Sequence, residues 1–194
     1  MQIIKNFLIA LFCLGSLTAQ NFIGKINPFP EPASQQISTP PVLKVLAVMV
    51  DFQEDKDQAT FGNGKFGSMY SKDYGNTILD PLPHDKNYFS LHLTFLKNYF
   101  AKASNGKMDV QFNILPDVIT VSKTMRNYSP DGDNFTPLAD FTKEVWTMAD
   151  QAFPGFSFSD YDFFIVFHAG VGRDISLPGS IGNEKDLPSV YLGE

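Results

Sequence analysis

Residues 88–115 read YFSLHLTFLKNYFAKASNGKMDVQFNIL, and the change of period inside this stretch decides the fold class. From Ser90 onward, Leu91, Phe95, Leu96, Tyr99, Phe100 and Ala103 fall at three- and four-residue spacings, which place side chains on one face of an α-helix. Ser90 is the expected N-cap, since its hydroxyl can accept from an unpaired first-turn amide. Asn105-Gly106 stops the helix, because glycine tolerates the left-handed conformation that ends helices. Met108, Val110, Phe112 and Ile114 then alternate with polar residues, the period of a half-buried strand. Helix, glycine turn and strand follow one another without a linker.

Outward from this unit, two runs read as buried strands. Val42 to Phe52 is nearly continuous in apolar and β-branched residues, as in a strand covered on both faces of an α/β sheet. Tyr161 to Phe167 is the second, and it runs into His168-Ala169-Gly170-Val171-Gly172. Between them, Val118 to Val121 is expected to continue the sheet beyond a break at Pro116. Thr136-Pro137 is expected to open a second helix with cap and N1 chemistry. Its stripe is Leu138, Phe141, Val145, Met148, Ala149 and Ala152, with Trp146 extending the apolar face as a core residue. The fold class is α/β, with α+β as the alternative: a mixed sheet with two main helices packed on it.

Composition limits the function classes. At 43% hydrophobic and 19% charged residues, the 194-residue chain can bury a sizeable core and is not a disordered chain. Met1 to about Gln20 reads as a secretory signal peptide, with Lys5 before the apolar run Phe7 to Leu17. That run is shorter than the roughly 20 residues of a spanning helix, so no stable membrane span is expected. Residues 21–41, with five prolines among polar residues, read as a leader or linker, and 42–194 as the folded domain. Cys13, the only cysteine, lies in the signal segment, so the exported chain has neither disulfide nor thiol nucleophile. A net charge of −6 without a Lys/Arg cluster argues against nucleic acid.

The search for a chemical site is mostly negative. Asp51 ends a buried strand, where α/β proteins place functional groups, but a lone carboxylate reads first as a turn or cap residue. His84 and His92 stand near a helix start without the Glu-x-x-His spacing of a zinc helix. His168, at a strand end before a glycine-rich turn, is the most interesting histidine, and a satisfied structural role is the simpler reading. Asp55, Asp57, Asp73, Asp80 and Asp85 in the loop-rich stretch 53–85 lack the close regular spacing of calcium ligands. Asp131-Gly132-Asp133 lacks the closing Glu of an EF-hand, and Gly170-Val171-Gly172 lacks the third glycine of a dinucleotide loop. Asn127 and Asn134 head glycosylation sequons, which matter only in a eukaryotic secretory host. No residue is assigned as catalytic, cofactor-binding or metal-binding.

The order of motifs carries more than any one of them. Val50-Asp51-Phe52 closes the first strand, Ser104-Asn105-Gly106-Lys107 joins helix to strand, Asn127-Tyr128 follows, and His168-Ala169-Gly170 closes the last strand. Over Val42 to Gly172 this series resembles the N-terminal part of the immune-inhibitor-A-like (M6) secreted zinc metallopeptidases. The resemblance implies a zincin-like fold, a protein or peptide substrate, and a His-Glu-x-x-His helix that binds zinc beside a glutamate that polarises water. No such helix occurs before Glu194, so the resemblance carries no zinc ligand onto any residue here. The chain is expected to be a fragment cut upstream of that helix, inactive by itself and without a cofactor. The alternative is a non-catalytic, exported, peptidase-like binding or surface module.

Overall fold

The computed structural model describes residues 41–67, 83–174 and 182–192. Its elements alternate: β1 (Val42–Asp51), α1 (Lys86–Ala103), β2 (Asp109–Thr120), α2 (Thr136–Ala152) and β3 (Phe163–His168), with short 3-10 turns at Met125–Tyr128 and Phe158–Asp160. The three strands form one open sheet in the order β2-β1-β3, and both pairings are parallel. The fold is therefore α/β, and the described sheet is parallel rather than mixed. Right-handed crossovers explain the layers. The chain steps from β1 to β2 on one side and then back past β1 to β3, so the two helices lie on opposite faces.

The apolar run of β1 is now accounted for residue by residue. Leu46, Val48 and Val50 point to the α2 side, where they join Leu138, Phe141, Val145 and Ala149 in one core. Ala47 and Met49 point to the α1 side and meet Phe89 and Leu93. Burying each large aliphatic or aromatic side chain contributes about 1.5–3 kcal/mol, so the unbroken apolar run Val45 to Val50, between Lys44 and Asp51, is what a two-faced sheet requires. β2 alternates as its sequence predicts, with Val110 and Ile114 buried and Gln111 and Asn113 exposed. As expected, it is interrupted at Pro116 and continues beyond it. Three of its residues, 115–117, stand opposite Val48 alone, and pairing resumes at Met49 with Val118. An outer edge strand tolerates a residue without an amide hydrogen, and the bulge absorbs it.

Both helix starts differ from expectation. α1 begins at Lys86, capped by Asp85, whose side chain accepts from the Tyr88 amide at 2.9 Å. Ser90 is thus inside the first turns rather than at the cap, and four earlier residues join the helix. Rotating the wheel to include Phe89 changes its buried face: Phe89 and Leu93 are buried, whereas Leu91, Phe95 and Tyr99 are exposed. α1 closes as expected, with Asn105 and Gly106 both at positive φ and the Gly106 amide donating to the Ala101 carbonyl at 2.7 Å. In α2, Thr136 is the first helical residue and not a cap; the Asn134 side chain accepts from the Thr136 amide at 3.1 Å. The stripe itself stands, with Leu138, Phe141, Val145 and Ala149 buried. Trp146 is half-buried and packs edge-on against Phe158 and Phe164.

Candidate functional site

In a parallel sheet, the crevice outside the strands' carboxyl ends, where successive crossovers diverge, is the usual place for ligands. Here it lies between β1 and β3. Val50 is in register with His168, and the Ala169 amide donates to the Val50 carbonyl at 2.8 Å. The ends of the two apolar strands, 117 positions apart in sequence by the Asp51 and His168 numbering, thus become neighbours.

Three loops close over this edge. Phe52 donates its amide to Gly64 at 2.8 Å, and Gln53 ties both its amide, at 3.1 Å to Lys123, and its side chain, at 2.8 Å to Val121, to the segment after β2. Gly170, at φ +95°, completes the turn after β3. The positive φ favours glycine there, and a Cβ would also stand 3.3 Å from the Phe61 backbone carbonyl, whereas the Met125 methyl on the same side is the flexible tip of its side chain. From the third side, the Asp186 carboxylate accepts from the Phe61 amide at 2.6 Å and from the Asn183 amide, while its carbonyl accepts from Ser129 Oγ at 3.2 Å. Burial raises the Asp186 pKa above the ordinary aspartate value, and the two amide bonds only partly offset it.

The sequence candidates settle into distinct places. Asp51 Oδ1 is 3.1 Å from Lys65 Nζ, a partly buried ion pair at the end of the central strand. His168 is the last residue of β3, at the strand end as expected, half-buried, with Phe52 edge-on at 6.2 Å. Its Nδ1 is 2.8 Å from the Ala169 carbonyl, an acceptor, so Nδ1 carries the hydrogen and Nε2 the lone pair. Burial holds the His168 pKa below the ordinary histidine value, against the smaller upward pulls of that carbonyl and of Asp174. The ring is neutral at pH 7. Asp174 is held below the ordinary aspartate range chiefly by the Ser189 amide at 2.7 Å.

These groups do not form a working nucleophile and base. Among the described residues His168 is bonded to the Ala169 carbonyl and not to a hydroxyl, and Ser189 is bound to Asp174. His92 is exposed on α1, its Nδ1 3.0 Å from the Tyr88 carbonyl, and His84 stacks near Tyr88 at 4.7 Å. Asp57 accepts from the Ala59 amide at 2.9 Å and from Arg126 at 2.9 Å; these bonds hold its pKa below the ordinary value. Asp131 pairs with Lys185 at 3.1 Å. Among the described residues no three His, Cys, Asp or Glu side chains gather as a metal site would. Asp73 and Asp80 lie outside the described residues. Among the described residues, no helix is long and apolar enough to cross a membrane.

One polar cluster escaped the sequence entirely. Tyr128, fully buried, donates to Glu144 Oε2 at 2.6 Å and accepts from the Lys123 amide at 3.2 Å, while Glu144 Oε1 accepts from the Ser122 amide at 2.7 Å. Burial opposes ionisation of Glu144, but the bonds from Tyr128 and Ser122 outweigh it and hold its pKa below the ordinary value. Burial and the same bond raise the Tyr128 pKa. The cluster fixes the turn after β2 to α2. Its partners are 16 residues apart on different elements, so no motif spacing could have announced it.

Comparison with protein-family models, with curated proteins and with solved structures gave no match in any of the three.

Proposed function

We propose that the chain is the N-terminal, substrate-side portion of a secreted zinc metallopeptidase of the immune-inhibitor-A (M6) type. The observation that carries this reading is the meeting of two motifs at one edge: Val50-Asp51-Phe52 and His168-Ala169-Gly170 end adjacent parallel strands, joined by the bond from Ala169 to Val50. The third motif, Ser104-Asn105-Gly106-Lys107, forms the turn that delivers α1 into β2, on the other side of β1. In this reading the sheet is a platform. A His-Glu-x-x-His helix in the longer protein packs against it, binds zinc, and hydrolyses a peptide that adds as a strand along a sheet edge. The residues present build that support and contribute no zinc ligand, so this chain by itself does not cleave peptides.

The test uses a longer protein carrying the sequence downstream of Glu194. Zinc at one equivalent per chain and casein cleavage abolished by a chelator are the expected results. A folded longer protein that binds no zinc and leaves casein intact refutes the peptidase reading. It would favour the second reading, an exported binding module on a peptidase-like scaffold.

A further inference from the structure

A groove of about 600 Å³ runs along the solvent side of α2, within the roughly 300–1,000 Å³ typical of small-ligand sites. Trp146 and Leu192 supply its large apolar lining, and Leu192 is the one lining residue from outside that helix. Phe158 and Phe164 pack edge-on against the indole, at 6.1 and 5.0 Å, and hold its plane. Lys143 and Asp150 line the same groove, exposed, on either side of Trp146 along the helix. Neither is spent within the chain: the ion pairs among the described residues join Lys65 to Asp51, Lys97 to Asp109, Arg126 to Asp57 and Lys185 to Asp131. The two hydroxyls in the lining are already committed as donors. Thr142 Oγ1 donates to the Leu138 carbonyl at 3.0 Å and Thr147 Oγ1 to the Lys143 carbonyl at 2.7 Å, so each meets a ligand only as an acceptor.

We propose that this groove binds a short peptide with free ends, three or four residues long, its carboxylate on Lys143 and its ammonium on Asp150. Charge, length and hydrogen-bonding capacity select that occupant together. An anionic ligand would leave Asp150 facing a like charge, and a cationic one would do the same to Lys143, so the pair calls for a molecule with one charge of each sign. The two residues are seven positions apart, about 10.5 Å along a helix that rises 1.5 Å per residue. An extended peptide rises about 3.3 Å per residue, so three or four residues carry a terminal ammonium and a terminal carboxylate across that span. The acceptor-only hydroxyls suit the N–H groups of its peptide bonds. A central apolar side chain lies between Trp146 and Leu192. The groove is on the outer face of α2, not at the carboxyl edge of the sheet, so the proposal stands apart from the peptidase reading.

Trp146 is the chain's only tryptophan, so its emission reports on the groove directly. Titrating the purified full chain with Ala-Leu-Ala over about 10 µM to 5 mM should shift that emission saturably, a range suited to an open groove with two exposed ion pairs. Acetylating the peptide's amino end should weaken binding about two- to fivefold, as should Asp150→Asn; amidating its carboxyl end should do the same, as should Lys143→Gln. The losses pair: acetylation costs nothing further in Asp150→Asn, nor amidation in Lys143→Gln. Lys102→Gln, exposed on α1, leaves binding unchanged. Because Lys143 and Asp150 are exposed, the circular dichroism and urea midpoint of their variants should match the parent. No saturable shift, or a doubly blocked peptide bound as tightly as the free one, overturns the proposal; the second result would assign the groove to a continuous chain or a partner's surface. The zinc and casein measurements on the longer protein decide the peptidase reading separately, so either can fail alone.

Discussion

Removing one oxygen atom, by Tyr128→Phe, is the most informative perturbation of this fold. The ring contacts with Phe52 and Phe141, at centroid distances of 6.1 and 5.2 Å, survive the change. What goes is the bond to Glu144 and the acceptor for the Lys123 amide. A hydrogen bond to a charged group contributes about 1.5–3 kcal/mol, and Glu144 is half-buried, so water recovers part of the loss. The expected destabilisation is about 1.5–2 kcal/mol, a fall in Tm of roughly 3–8 °C for a domain of this size. The deficit also depends on pH with a definite sign. Glu144 has a folded pKa below its unfolded value, so its bonds contribute above the unfolded value of about 4.3 and are lost as pH falls through the folded pKa. Urea unfolding of parent and variant at pH 7 and at about pH 3 should therefore show the gap narrowing in acid. A difference under about 0.5 kcal/mol at pH 7, or one that does not change with pH, would refute the claim that this bond holds the turn to α2.

Three further outcomes follow from other positions. Gly170→Ala should destabilise by about 1–3 kcal/mol, chiefly from its positive φ, and thermal melts of parent and variant measure the loss. His168, with a folded pKa below the unfolded value of about 6.5, makes the parent lose stability as pH falls below that value; His168→Gln should flatten this limb in urea titrations from pH 7 to 5. Asp186 has the opposite sign: its folded pKa is raised, so its contribution falls as pH rises above the unfolded value of about 3.9. Asp186→Ala strands the Phe61 and Asn183 amides and should cost about 1–3 kcal/mol, whereas a cost near zero at pH 7 would remove Asp186 as the pin between those loops.

The sequence was most informative where hydrophobic period alone decides structure. β1, β3 and the buried stripe of α2 are continuous or strongly periodic, and the structure has them with shifts of a residue or two at the ends. α1 was harder because Leu91, Phe95 and Tyr99 make as good an apolar stripe as Phe89, Leu93, Leu96 and Phe100. Only the position of the sheet chooses between them, and that is set by β2, reached after the Gly106 turn. Pro116 was legible for the opposite reason: a missing amide interrupts the pairing locally, and a bulge on an outer strand absorbs it, so the sheet continues through Val118 to Thr120 as expected. The crevice between β1 and β3 follows from strand order, which no local pattern encodes. Its polar contacts, Asp186 to Phe61 and Tyr128 to Glu144, join residues that only the finished topology brings together.

The position of β1 between two late partners governs how the chain folds. Its first neighbour is complete at Thr120 and its second at His168, so the central strand waits for 117 further residues after Asp51 before both edges are satisfied. At roughly 5–20 residues per second of synthesis, that interval is about 6–23 s. Throughout it, Val42 to Asp51 is a ten-residue apolar strand with Lys44 as its only basic residue, the kind of segment that pairs with whatever edge it meets first. A chain held unfolded until β3 is available avoids that fate, and a chain released earlier aggregates through the strand that later becomes its centre.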